Sequence, residues 1–262
     1  RPRSVDFRQI LSEVRACGDN GLKDVTLLGQ NVNSYRWGGY DFPRLLRELN
    51  QVDSIHRLRF VTSHPKDLSD GLIEAMATGG KICEHLHLPL QSGNNGVLKA
   101  MNRKYTIEVY LRLVQKLRAA MPEISLTTDL IAGFPGESEA DFSDTLQVMR
   151  EVRYDHAFCF KYSEREGTSA CGLPHQVPEA ERLRRLQEMI EHQRGITLAK
   201  FSAQTGKDVE VYVESLSRKS QQMVSGKTRD YKIAVLSGDA TDIGKLKTAR
   251  VMKATAGTLI CA

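Results

Sequence analysis

No two of the five cysteines (Cys17, Cys83, Cys159, Cys171 and Cys261) stand in C-x-x-C spacing, so neighbouring thiols cannot assemble a zinc knuckle or an iron–sulfur loop. A disulfide framework is equally unsupported in a chain of 262 residues, and a reducing cytoplasm is the simplest setting for scattered thiols. No window approaches the roughly 20 apolar residues of a membrane-spanning helix. Residues Arg1 to Ser12 are charged and helical in pattern, which excludes an apolar signal sequence there. Excess charge is absent from the first three quarters of the chain, where 26 Lys and Arg balance 26 Asp and Glu. From Lys200 onward eleven basic residues face six acidic ones, so the whole net charge of +5 sits at the C-terminal end. A small basic module is the electrostatic footprint of nucleic-acid binding.

What the chain does contain is one layout repeated. Val25 to Leu28 runs into Gly29, Gln30 and Asn31; Leu58 to Val61 into Thr62-Ser63-His64-Pro65; Leu86 to Leu90 into Gln91-Ser92-Gly93-Asn94. Ser125 to Ile131 runs into a loop with Gly133, Gly136 and Glu137, and Ala157 to Phe160 into Lys161-Tyr162-Ser163. Between these apolar runs lie helical periodicities, Ile107-Tyr110-Leu111-Val114-Leu117 and Phe142-Leu146-Met149 among them. Thr106 caps the first, and Ser138 with Asp141 forms a capping box before the second. Strand, polar loop and helix in alternation predict a parallel α/β sheet or barrel whose strand ends converge on one face.

Pro178 opens a charged helix that the spacing predicts to bury Leu183, Leu186, Met189 and Ile190. Near residue 200 the period changes to two, with Val209, Val211 and Val213 alternating with Glu210, Tyr212 and Glu214. Further strands are predicted over Tyr231 to Leu236, Ala249 to Lys253 and Thr258 to Cys261, with turns at Ser225-Gly226, Ser237-Gly238-Asp239 and Ala256-Gly257. The division is therefore 1–199, a parallel barrel with a linker helix, and 200–262, a small antiparallel β-barrel of OB-like type. Lys219, Lys227, Arg229, Lys232, Lys245 and Lys247 are the candidate phosphate contacts, with Tyr212 and Tyr231 the few aromatics available for stacking.

The segments Leu27 to Tyr35, Arg59 to Pro65, His87 to Gly93, Thr128 to Glu137 and Phe160 to Ser163, in that order, resemble the radical S-adenosylmethionine methylthiotransferases. The Gly29-Gln30-Asn31-Val32-Asn33 stretch is similar to the tRNA enzymes that act on isopentenylated adenosine beside the anticodon. Val209 to Glu214 and Gly226 to Asp230 resemble the TRAM domain, a small RNA-binding barrel. The resemblance implies S-adenosylmethionine and two 4Fe-4S clusters as cofactors, the tRNA anticodon stem-loop as substrate and an electron-donor protein as partner.

It further implies that Gly29, Gln30 and Asn31 lie beside the methionine part of the cofactor, Gln91 and Ser92 near its ribose, and Gly133 and Tyr162 around its adenine, with Asp129 also among the cofactor-binding residues. The family's cluster cysteines have no counterpart here, so the chain is expected to be a piece of a longer enzyme, inactive by itself. Two other readings remain open. One is a non-catalytic RNA-binding protein of the same descent. The other is a metal-dependent barrel hydrolase using His85 and His87, an H-x-H pair that shares one face of a strand.

Overall fold

The computed structural model describes residues 4–61, 63–165, 167–218 and 220–262. Asp6 caps α1 (Phe7–Asp19), which leads to β1 (Asp24–Leu27), a two-strand ribbon of β2 (Arg36–Trp37) and β3 (Tyr40–Asp41), and α2 (Phe42–Leu49). There follow β4 (Arg57–Phe60), α3 (Asp70–Ala77), β5 (His85–His87), α4 (Asn95–Ala100), α5 (Ile107–Ala120), β6 (Ser125–Ala132), α6 (Glu139–Val152) and β7 (His156–Lys161). All the pairings of β1 with β4, β5 with β6 and β6 with β7 are parallel, and a parallel bridge from Leu58 to Ile82 joins the two groups. The result is an open parallel barrel. On β6 the alternation sorts the faces: Leu126 and Leu130 are buried against the helices, whereas Ser125, Thr127 and Asp129 face the lumen.

Local chemistry accounts for the elements. Thr106 accepts from the Val109 amide at the start of α5, and Ser138 and Asp141 form the reciprocal capping box of α6. The strand expected over Leu86 to Leu90 is regular only as far as His87, because Pro89 has no amide to donate and Gln91 turns into the left-handed region at φ 74°. Gln91 still bridges to Leu130, so the sheet resumes for one residue before the loop.

The long helix α7 (Glu179–Ser202) buries a different face from the one its apolar spacing suggests. Leu183 and Ile190 are 48% and 47% exposed, while Arg182, Arg185, Met189, Gln193 and Thr197 are buried. Polar partners decide the rotation. Arg185 pairs with the buried Glu137 at 2.9 Å, and Gln193 and Thr197 donate to the carbonyls of Tyr154 and Asp155. These buried polar contacts fix the helix's rotation although two leucine-sized side chains are left in water.

Beyond α7 lie β8 (Asp208–Ser217), β9 (Ser220–Thr228), β10 (Ile233–Ser237), β11 (Leu246–Ala254) and β12 (Leu259–Cys261), closed in the order β10-β12-β11-β8-β9. All pairings are antiparallel except β10 with β12, which is parallel. Val211, Val213, Val224, Leu236, Val251 and Leu259 fill this second core, with Phe201 of α7. Ser225-Gly226, expected to be a turn, lies inside β9, where Gly226 pairs with both Val213 and Ala234. A Cβ there would come within 2.0 Å of the Tyr212 carbonyl oxygen, so the glycine serves a close strand crossing.

Candidate active site

The C-terminal ends of the parallel strands carry the residues expected to hold a cofactor. Gly29 and Gln30 are exposed in the loop after β1, and Asn31 is fixed by donating its amide to Asp67 at 2.6 Å. Asn33 ties this loop to the next, exchanging hydrogen bonds with the backbone of His64. Gln91 is buried, its amide donating to the Asp129 carbonyl, and Ser92 is wholly buried beside Thr145. The N-cap of α4 is Asn94 rather than Ser92, since the Asn94 side chain accepts from Gly96 and Val97.

Gly133 adopts φ +74°, and a Cβ on it would meet Arg182 Cγ at 2.5 Å, so its glycine is required by α7. Glu137 accepts from the Gly133 amide at 2.7 Å and is braced by Arg185. Tyr162 packs edge-on against Phe134, with the Arg182 guanidinium 5.4 Å from its ring centroid. Two rim atoms, Asn31 Oδ1 and the Tyr162 hydroxyl, are buried without a hydrogen-bond partner. Unpaired acceptors and donors at strand ends fit a polar ligand such as S-adenosylmethionine.

Of the expected cofactor residues, Asp129 alone also faces the lumen, a cavity of about 700 Å³ between the parallel barrel and the C-terminal module. Its walls include Val61, Pro89 and Phe158, with His85, His87, Thr127 and Asp129 on one side. Thr127 links the two histidines, at 3.1 Å from His85 Nε2 and 3.0 Å from His87 Nδ1, and His87 Nε2 lies 3.3 Å from Asp129. Burial, reinforced by Arg59, pushes His85 down to about 3, so it is a neutral hydrogen-bonding group. Among the described residues no group of three or more His, Cys, Asp or Glu is placed to hold a metal ion. Nor do the cysteines fit a cluster. Cys83 and Cys261 are buried in separate domains, and Cys159 is held behind β7 by the core.

The floor of the lumen is a tight hairpin of the C-terminal module. Arg57, fully buried, donates to the Lys227 carbonyl at 2.5 Å and to Glu210 at 2.8 Å. Arg59 pairs with Asp24 and donates to the carbonyls of Thr228 and Arg229, both at 2.8 Å. In return Arg229 clasps Glu84 at 2.9 Å and the Ile82 carbonyl at 2.8 Å. Lys232, 5% exposed, pairs with Asp155 at 3.2 Å and with Asp230.

Of the basic residues expected to meet phosphate, Lys232 is buried and is corrected to an internal anchor. Arg229 pairs with Glu84 and Lys232 with Asp155, Lys227 pairs with Glu214, and Lys247 with Asp242, whereas Lys245 is exposed. Lys219 lies outside the described residues. Tyr212 is buried, its hydroxyl 3.4 Å from the Lys23 amide, and Tyr231 faces the lumen. Arg57 and Arg59 are the functional residues that sequence reasoning passed over. Their signal was two arginines on one face of an otherwise apolar strand, which demands buried acceptors.

A parallel barrel with polar strand-end loops, joined to a closed five-stranded barrel, defines a radical SAM-type core with a small β-barrel appendage. Residues 1–149 match the model of the Radical SAM superfamily and residues 202–260 that of the TRAM domain. The chain belongs to the Radical SAM superfamily. It is 49% identical over 254 residues to the tRNA-2-methylthio-N(6)-dimethylallyladenosine synthase of Acetivibrio thermocellus, covering 96% of this chain and 53% of that protein. The synthase of the same name from Desulfitobacterium hafniense is 47% identical over 262 residues, covering 99% of this chain and 59% of that protein. The chain thus spans a little over half the length of the curated relatives it matches. In the solved coproporphyrinogen III oxidase of Escherichia coli, a radical SAM enzyme, the fold recurs with a TM-score of 0.56 at 18% identity, over 72% of this chain and 46% of that one.

Proposed function

We propose that this chain is the cofactor-wall and RNA-holding part of a tRNA methylthiotransferase acting on C2 of an adenosine whose N6 carries a dimethylallyl group, next to the anticodon. The observation that carries the reading is that the TRAM-like module is locked onto the barrel by Arg57, Arg59 and Arg229, so RNA held by the module is held at a fixed place relative to the barrel. S-adenosylmethionine, when bound, supplies the methyl group and the radical. The residues of this chain that would orient it are the loop of Gly29 to Asn31, the Gln91 turn and the Gly133 turn, each at the C-terminal end of a parallel strand. The five separated cysteines leave the iron–sulfur clusters without ligands here, so the 262 residues alone do not complete the reaction. No helix among the described residues is long and apolar enough to cross a membrane, which accords with a cytoplasmic tRNA enzyme; an electron-donor protein would serve the complete enzyme.

Binding of an anticodon stem-loop RNA, followed against salt, tests the reading. Affinity should fall steeply with salt, with a slope set by the exposed lysines of the small barrel. A stem-loop bound no better than an unrelated hairpin at moderate salt would remove the RNA part. Methylthiolated product from the isolated chain with S-adenosylmethionine and reductant would remove the claim that it is inactive alone.

A further inference from the structure

The barrel encloses the lumen but does not make its floor. Tyr231, at the tip of the hairpin between β9 and β10, sits at φ 69°, a left-handed conformation unfavourable for a bulky side chain. It is held there by the flanking Arg229–Glu84 and Lys232–Asp155 pairs. Its ring stacks on His85 with centroids 4.6 Å apart and planes 15° from parallel, yet it remains 38% exposed toward the cavity. Above it on β7, Phe158 is 47% exposed on the lumen face, edge-on to His87 at 6.0 Å and to His156 at 4.8 Å. An uncovered phenylalanine inside a barrel, with a carboxylate and an imidazole at the same height, is the equipment for a flat heterocycle that stacks on one side and hydrogen-bonds along an edge.

We infer that Phe158 and Tyr231 are specificity-determining residues for an extruded adenine with an apolar N6 chain. Phe158 stacks the base, Asp129 and His87 meet its polar edge, and Tyr231 is the floor against which the chain rests. The inference rests on the proposed function and goes beyond it, because it makes the C-terminal module a part of the substrate pocket and not only an RNA handle. A base that lowers its N6 chain toward Tyr231 turns its C2 edge toward the strand-end loops where the cofactor residues stand. The cavity of about 700 Å³ accepts a nucleoside of this kind.

The test compares two anticodon stem-loops, one with N6-isopentenyladenosine and one with plain adenosine at the same position, together with the free isopentenylated nucleoside, on the full 262-residue chain. The wild-type chain should prefer the isopentenylated RNA by at least about 5-fold, roughly what burying one or two carbons of the N6 chain against Tyr231 is worth. Tyr231→Asn, chosen because asparagine tolerates the left-handed backbone, should bring the ratio near one, whereas Phe158→Ala, which removes stacking common to both bases, should weaken both RNAs by about 5-fold or more; neither variant removes a charge, so neither should change the salt slope. Tyr231→Phe should keep the preference. A wild-type ratio near one, a ratio unmoved in Tyr231→Asn, or affinities unmoved in Phe158→Ala, in variants that still melt like the parent, overturns the inference while leaving RNA binding intact. Loss of all RNA binding with a Phe158-dependent nucleoside titration sinks the RNA reading and upholds the pocket; failure of both sinks both.

Discussion

Replacing Lys232 with Met separates an anchoring lysine from a phosphate-binding one. The ammonium is 5% exposed and lies between Asp155, itself 3% exposed, and Asp230. Burial opposes its charge, but the two carboxylates outweigh burial and hold its pKa above the ordinary lysine value. Methionine fills the volume and removes the charge, leaving two carboxylates facing each other. Breaking a buried pair from one side costs about 3–5 kcal/mol. Lys200 also reaches Asp155, which places the expected loss at the low end, about 3 kcal/mol. For a chain of this size that corresponds to a fall in melting temperature of about 6–12 °C. Circular dichroism melts of the two proteins measure it. Lys245→Met, at an exposed site, should leave the melt unchanged and instead reduce the salt slope of RNA binding by about one. If Lys232→Met melts like the parent and weakens RNA binding as Lys245→Met does, the hairpin is an RNA contact and the docking argument is refuted.

Gly226→Ala should destabilise by about 3 kcal/mol or prevent folding, because its Cβ would meet backbone at 2.0 Å, whereas Gly136→Ala, with φ +83° but nothing within 4 Å, should cost only about 1 kcal/mol of strain. Urea midpoints distinguish the two, and equal losses would contradict the crossing geometry. His85 titrates near 3 in the folded chain against 6.5 ordinarily, so the unfolded chain takes up that proton first and stability falls as pH drops from about 6.5 toward 3. His85→Phe keeps a ring against Tyr231 and cannot be protonated. Its urea midpoint relative to the parent should therefore improve between neutral pH and about pH 4.5. A difference that is constant over that interval would show that His85 is not buried as described.

The parallel barrel was legible because its signals are local. Ser138 with Asp141, and Thr106 before Ile107, announce helix starts through bonds made within one turn. Strands ending in polar loops announce their C-terminal rim by composition alone. The face of α7 was not legible. Leu183 and Ile190 are apolar and exposed, since Arg185, Gln193 and Thr197 find partners on residues 39 to 48 positions away that no periodicity reveals. Strand β9, Ser-Gln-Gln-Met-Val-Ser-Gly-Lys-Thr, carries almost no β signal and is fixed by its neighbours β8 and β10. The same holds for the site. The rim residues follow from strand ends, but the lumen floor exists only because a distant hairpin docks there, and charge counting placed Arg229 and Lys232 on the surface because they are basic.

That docking has a consequence for how the chain is made. The bonds from Arg57 and Arg59 to the hairpin carbonyls span 169 to 170 residues of sequence. At ordinary rates of synthesis the two arginines wait roughly 10–30 s for their acceptors to emerge. Until then the parallel strands stand with one end open and two guanidinium groups solvated where they will later be dry. A segment translated about 170 residues later is thus the one that closes the parallel barrel. A ribosome stalled before the hairpin should expose a barrel that chaperones recognise as unfinished.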